Sequence, residues 1–383
     1  MAWFIGLMSG TSLDGVDGVL AETSCPEPKG TSLKGSTSLL KLVSRGHAHV
    51  AFDASLKAEL LALNRNGPDE LHRAALATNA LMKCYARVVA LLMQQSGLVA
   101  SDVVALGAHG QTVRHRPGEF DDQGYTLQLM NGSLLAELTG VAVVCDFRSR
   151  DLAAGGQGAP LVPAFHAGCF ARTGLEVAVL NVGGIANITL LKPDGEVLGF
   201  DTGPGNMLMD LWIQRHLGRP FDADGAWAAS GQIQPKLLAS LMSEPYLQRL
   251  PPKSTGRDLF DAAWLGQHAA VANSKPEDVM CTLAEYTAES VAQALRQHTS
   301  ACGELLVCGG GAFNAYLMSR LAARAASGTR VQSTAAAGMP PDQVEALAFA
   351  WLASTHIAGL PGNLPAATGA KGPRVLGALY PAA

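Results

Sequence analysis

The chain lacks the short motifs that mark several common enzyme classes. No G-x-x-x-x-G-K-[ST] run is present, which excludes a P-loop NTPase, and the absence of H-E-x-x-H and G-x-S-x-G excludes zincin proteases and α/β-hydrolases. No G-x-G-x-x-G follows a strand with an acidic residue about twenty positions on, so a Rossmann dehydrogenase is unsupported. Charge is sparse, at 16% of residues with a formal net charge of -4, and Lys and Arg are scattered. That argues against a nucleic-acid groove or an anionic membrane surface as partner. The apolar start has no basic n-region, and no run reads as the roughly 20 apolar residues of a membrane span. Seven cysteines (Cys25, Cys84, Cys145, Cys169, Cys281, Cys302, Cys308) form an odd set with no C-x-x-C pair. They read as reduced thiols of a cytoplasmic protein and give no zinc site.

What is present is a glycine-rich chain of 383 residues, 48% hydrophobic, long enough for two domains that each bury a core. Its first apolar strand runs into Ser9-Gly10-Thr11-Ser12-Leu13-Asp14-Gly15 and out again through Val16, Asp17 and Val19. Glycine lets backbone approach a ligand closely, and hydroxyls and amides can donate to anionic oxygens, so the turn is a candidate phosphate clamp. The plainer reading is an Asp-Gly hairpin. A second strand-turn-strand starts at Val177 and turns at Gly183-Gly184.

The correspondence continues. Val103 to Leu106 end in Gly107-Ala108-His109-Gly110-Gln111-Thr112, and Leu305 to Val307 end in Cys308-Gly309-Gly310-Gly311 followed by Asn314. Each is followed by a helix (about 133–138 and 315–324), a strand (141–146 and 330–333) and an apolar helix opened by Pro160 or Pro341, where proline is well placed. Agreement over successive elements predicts two related α/β halves: residues 1–150, with 360–383 returning to them, and 151–359. Glycine turns facing each other across an interdomain cleft would hold a nucleotide. Glu22 to Ser38, without apolar period, reads as a loop of the first half.

Asp201 is the strongest candidate for chemistry. It ends a strand in Phe200-Asp201-Thr202-Gly203-Pro204-Gly205-Asn206, with a helix over 207–217 and Asn206 as its expected N-cap. The turn is expected to aim free amides at phosphate oxygens; the alternative is an Asp that only closes a strand. Arg148, between Asp146 and Asp151, could fork onto a carboxylate or phosphate, or belong to a solvated ion-pair cluster. His109, Gln111, His115 and Arg116 form a polar run suited to sugar hydroxyls, although a histidine in such a run can equally be structural. Glu345, on an otherwise apolar helix, needs a partner: a metal or its water, or an arginine. The Gly309-Gly310-Gly311 turn can lie flat against adenine or be a simple tight turn.

Together, 8–17, 107–115, 146–148, 181–187, 200–206 and 308–311 resemble the anhydro-N-acetylmuramic acid kinases, a family of the sugar kinase/actin/Hsp70 class. The resemblance covers nearly the whole chain. It implies two duplicated ribonuclease H-like domains, ATP and Mg²⁺ as cofactors, and a reaction in which O6 of 1,6-anhydro-N-acetylmuramate is phosphorylated while water opens the anhydro bridge. It further implies Asp201 as general base, and Gly10, Thr11, Ser12, Leu13, Asp14, Gly15, Val16, Asp17, Gly183, Gly184, Gly309, Gly310, Gly311 and Asn314 as nucleotide contacts. His109, Gln111, Thr112 and Arg148 would touch the sugar, Arg148 at its lactyl carboxylate, and Glu345 would serve the metal. A cytoplasmic homodimer is the family expectation. The alternatives are a kinase of this fold acting on another sugar, or a nucleotide-switch ATPase.

Overall fold

The computed structural model describes residues 1–10, 12–23, 42–256, 259–299 and 301–382. Thr11, and all of the 22–38 loop except Glu22 and Thr23, lie outside the described residues. The chain divides into two compact units, Met1–Cys169 with Gln343–Ala383, and Phe170–Asp342. The divisions fall at 169/170 and 342/343, where the sequence reading put them at 150/151 and 359/360.

Unit 1 is built on β1 (Ala2–Met8), β2 (Gly15–Thr23), β3 (Leu42–Ala51), β4 (Val103–Ala108), β5 (Gln111–Pro117), β6 (Gly124–Leu129) and β7 (Val143–Cys145). Its main sheet has the order β7-β4-β1-β2-β3, with the C-terminal strand Ala378–Tyr380 added antiparallel outside β7. β1, β2 and β3 are antiparallel neighbours, while β4 lies parallel to β1 and β7 parallel to β4. Unit 2 contains β8 (Val177–Val182), β9 (Ile185–Leu191), β10 (Val197–Pro204), β11 (Glu304–Cys308) and β12 (Arg330–Ser333). The order is β10-β9-β8-β11-β12, with the same sequence of antiparallel and parallel pairs. The two units are therefore copies of one ribonuclease H-like sheet.

Each sheet carries one long helix on its face, Glu70–Ser96 in unit 1 and Pro276–His298 in unit 2. The first contains an apolar stretch with the length and composition of a membrane span, which corrects the expectation that no run is long enough; its Leu81, Tyr85, Val88 and Leu92 are buried in the unit 1 core. Pro276 stands at the start of the second, where its missing N–H costs nothing. Separate cores follow: Ile5, Leu7, Val16, Leu106 and Val143 join the first helix, and Leu180, Ile188, Phe200 and Leu305 join Met280, Leu283 and Tyr286 of the second. Each fully buried side chain of this kind contributes about 1.5–3 kcal/mol.

Short helices follow β6 and β11. Gly132–Thr139 is capped by Asn131 and Ala315–Arg324 by Asn314, whose side chains accept from Leu134 N (3.0 Å) and Leu317 N (2.9 Å). The β5–β6 ribbon, a two-stranded sheet of its own, intervenes in unit 1 where the sequence reading had only a polar run. The helix Val344–Ile357 lies directly on β1 and β4. A Cβ on Gly6 would fall 1.7 Å from the Ala346 carbonyl oxygen, and one on Gly107 2.0 Å from that of Phe349. Only glycine permits that approach.

Candidate active site

In unit 1 the β1–β2 turn is held from beneath. Ser9 is buried, and its hydroxyl lies 2.9 Å from that of Tyr85 and donates to the Gly110 carbonyl at 3.0 Å. The Leu13 amide donates to the Gly10 carbonyl, and Leu13 itself has φ 56° with its side chain in the core. Gly10 is open to ligand approach, since a Cβ there would meet only Ser12 Oγ at 3.8 Å. Ser12 and Asp14 are exposed and bonded to each other. Leu13 and Val16 point into the core, and Gly15 admits the close approach of β3, so these three can offer only backbone to a nucleotide. The Asp17 carboxylate faces two imidazoles from β3, His47 at 3.2 Å and His49 at 3.0 Å.

At the end of β4, His109 is buried against the Phe349 ring, and its Nε2 accepts from both Nε (3.2 Å) and Nη2 (3.0 Å) of Arg148. Burial first, and then the Arg148 charge, push its pKa down to about 3. His109 is therefore neutral at pH 7, with its proton on Nδ1. Arg148 Nη1 donates to the Gly158 carbonyl at 2.7 Å. Asp151 is buried and accepts from Asn363, Thr368 and the Gly158 amide, so the expected solvated cluster is partly a buried staple. Gln111 is buried and its Nε2 donates to the Gly10 carbonyl, tying this run to the β1–β2 turn. Thr112 accepts from Gln128, and His115 lies 3.0 Å from the Thr126 hydroxyl. Arg116 faces Glu119 at 3.7 Å, and Glu345 is half-buried in the first turn of Val344–Ile357.

In unit 2 the glycine turn after β8 is clipped by backbone. The amides of Gly205 and Met207 donate to the Gly184 carbonyl, that of Asn206 to Gly183, and the Asn206 side chain to Val182. This corrects the expectation that the 202–206 turn aims free amides outward: those of Gly205 and Asn206 are spent on the neighbouring turn, as is that of Met207. It also corrects the capping role of Asn206, which makes no side-chain cap bond. A Cβ on Gly205 would fall 2.4 Å from the Gly183 oxygen, and one on Gly311 2.4 Å from Val182 Cγ1. Gly309, at φ 76°, lies under the Asn181 side chain and donates its N–H to the Pro341 carbonyl. Asn314 spends its side-chain oxygen on the helix cap.

Register lines up one polar row across this sheet. Asp201 pairs with Asn187, Asn187 with Asn181, and Asn181 with Cys308. The β9–β10 register shifts between Asp201 and Gly203, and Gly203 adopts φ 141°. Such a bulge bends the strand end and re-aims its side chains. Asp201 Oδ2 accepts from the Thr255 amide at 3.0 Å, its N–H donates to the Lys253 carbonyl at 3.2 Å, and its carbonyl accepts from Tyr246 Oη at 3.0 Å. Sequence reasoning missed this loop, whose signal was a lysine in the Pro-Pro-Lys-Ser-Thr-Gly stretch 251–256.

A duplicated ribonuclease H-like sheet with a glycine turn after the first strand of each copy and a carboxylate at a strand end defines the sugar kinase/actin/Hsp70 class. Within that class, the chain belongs to the anhydro-N-acetylmuramic acid kinase family, whose model matches residues 2–382. It is 57% identical over 385 residues to the anhydro-N-acetylmuramic acid kinase of Variovorax paradoxus (99% of each chain). It is 55% identical over 383 residues to that of Bordetella petrii (99% of this chain, 96% of that one). The solved activator of 2-hydroxyisocaproyl-CoA dehydratase from Clostridium difficile, with bound ADPNP, aligns over 93% of this chain and 95% of that one. Its TM-score is 0.45 at 12% identity.

Proposed function

We infer that the protein is an anhydrosugar kinase of cell-wall recycling. It phosphorylates O6 of 1,6-anhydro-N-acetylmuramate with ATP while water opens the bridge, giving N-acetylmuramate 6-phosphate. The single observation that carries the chemistry is the carboxylate of Asp201, fixed on a bulged strand end by the Thr255 amide. Asp201 takes a proton from the water that attacks C1. The C1–O6 bond breaks with its electron pair on O6, which attacks the γ-phosphorus, and ADP leaves. A departing oxygen that is itself the nucleophile needs no separate acid.

Around that step, the amides of Gly10 to Asp17 and the turns Gly183-Gly184 and Gly309-Gly311 cradle the nucleotide, with Asn314 supporting the latter. His109, Gln111 and Thr112 bind sugar hydroxyls, and Arg148 clamps the lactyl carboxylate. Neutral His109 steadies the guanidinium from one side. Among the described residues no cluster of three or more His, Cys, Asp or Glu could hold a metal unaided. Mg²⁺ usually rests on substrate phosphates with one or two carboxylates, and Glu345, half-buried in the first turn of Val344–Ile357, would be that carboxylate here. When bound it would neutralise phosphate charge. The same reading places the enzyme in the cytoplasm as a homodimer, which light scattering would check.

Mass spectrometry of the product made in ¹⁸O-water tests the reaction. One label at C1 with unlabelled phosphate on O6 is expected; an intact anhydro ring in the product overturns it.

A further inference from the structure

Lys253 is an unusual residue to find buried: it is only 8% exposed. Its ammonium donates to the carbonyls of Leu247 (3.1 Å) and Tyr246 (3.4 Å) and stands 5.0 Å from the Tyr246 ring centroid and 5.6 Å from that of Phe200. These contacts close the 246–255 loop on itself. The closed loop then grips one residue at three points: Tyr246 Oη on the Asp201 carbonyl, the Lys253 carbonyl on the Asp201 amide, and the Thr255 amide on the carboxylate.

We propose that Lys253 is a positioning residue for the reaction, acting through the closed 246–255 loop to hold the Asp201 carboxylate in its working orientation. The inference rests on the reading of Asp201 as general base. A buried ammonium serves this purpose in two ways. It is a rigid tether that cannot slip without leaving a charge unsolvated, and it is a positive charge next to Phe200, the residue preceding the base. Burial lowers the Lys253 pKa, and the nearby Asp201 charge opposes that shift, which fits an electrostatic link between the two. The other titratable groups around this corner are Glu244, Tyr246 and Arg249 on the loop side, His298 at the end of its helix, and Lys192 after β9.

The test uses the full chain with Lys253→Met, Tyr246→Phe and Asp201→Asn, each checked for folding by thermal melting. Lys253→Met should lower kcat roughly 10- to 100-fold, the scale of a misplaced catalytic group. KM for ATP should stay within about twofold. The acid limb of the kcat profile should move up by about half a unit or more as the charge is lost. Tyr246→Phe removes one grip but no charge, and should lower kcat about three- to tenfold with the limb in place. A folded Lys253→Met enzyme with unchanged kcat and acid limb overturns the proposal. If that variant does not fold, unchanged kcat in Tyr246→Phe overturns it instead. Turnover retained by Asp201→Asn would sink the reading of the base separately, whatever the loop variants do.

Discussion

Unit 1 secures its first hairpin with side chains, whereas unit 2 secures its own with backbone. In unit 1 the Ser9 hydroxyl reaches Tyr85 and Gly110, and Gln111 reaches Gly10. In unit 2 the amides of Gly205, Asn206 and Met207 close on Gly183 and Gly184, with the Asn206 and Thr202 side chains adding bonds to the Val182 and Ala186 carbonyls beside them. The strand ends diverge as well. In unit 1 the carboxylate of Asp17 pairs across to His49, whereas in unit 2 Asp201 pairs across to Asn187. The copies thus share a frame while the row just beyond it differs in chemistry. Unit 1 keeps its carboxylate on the middle strand between imidazoles; unit 2 puts one on the outer strand beside amides.

The comparison breaks most visibly at the carboxylates. Asp201→Asn should cost about 10²–10⁴ in kcat, the range for losing a general base, with little change in melting temperature. His49→Ala, which removes one imidazole from the unit 1 carboxylate Asp17, should cost less than about tenfold in the same ADP-release assay. Equal losses would mean the rows do not divide the work as described. Next comes backbone tolerance. Gly205→Ala should destabilise unit 2 by more than about 3 kcal/mol in urea titration, because the new methyl has only a carbonyl to displace. Gly10→Ala, with open space around it, should stay within about 1 kcal/mol.

Ser9→Ala tests the side-chain anchor and should cost about 1–3 kcal/mol by stranding buried partners. The last test is one of pH. Burial holds His109 and His166 near about 3, and burial with the Arg148 charge holds His115 near about 4. The unfolded chain binds those protons first, near about 6.5. Stability present above that pH is therefore lost as the pH falls toward 4 and then 3. All three histidines belong to unit 1. Hydrogen exchange should show its amides losing protection before those of unit 2 as the pH drops through this window.

Much of this frame was legible in the sequence because it is written in local signals. Alternating apolar runs around glycine turns marked both hairpins, and the helix expected over 315–324 is found as Ala315–Arg324. Asp201 stood out by ending a strand before a turn. What stayed hidden depends on contacts between distant segments. The bulge after Asp201 comes from pairing with β9, and the 202–206 amides find partners twenty residues upstream. The hold of Lys253 on the loop is invisible without knowing that Tyr246 and Phe200 lie beside it. The domain boundaries were misplaced for a similar reason: Val344–Ile357 belongs to the first unit because glycines near residues 6 and 107 receive it.

That helix has a consequence for biosynthesis. Its seat on β1 is made within the first hundred or so residues, yet its own residues emerge after all of unit 2. At ribosomal rates of about 5–20 residues per second, the wait between Gly107 and Val344 is roughly 12 to 47 seconds. During it, the strands flanking Gly6 and Gly107 have their apolar surface without its native cover. The nascent chain is thus most vulnerable to misassociation, and most in need of a chaperone, in the half that is translated first.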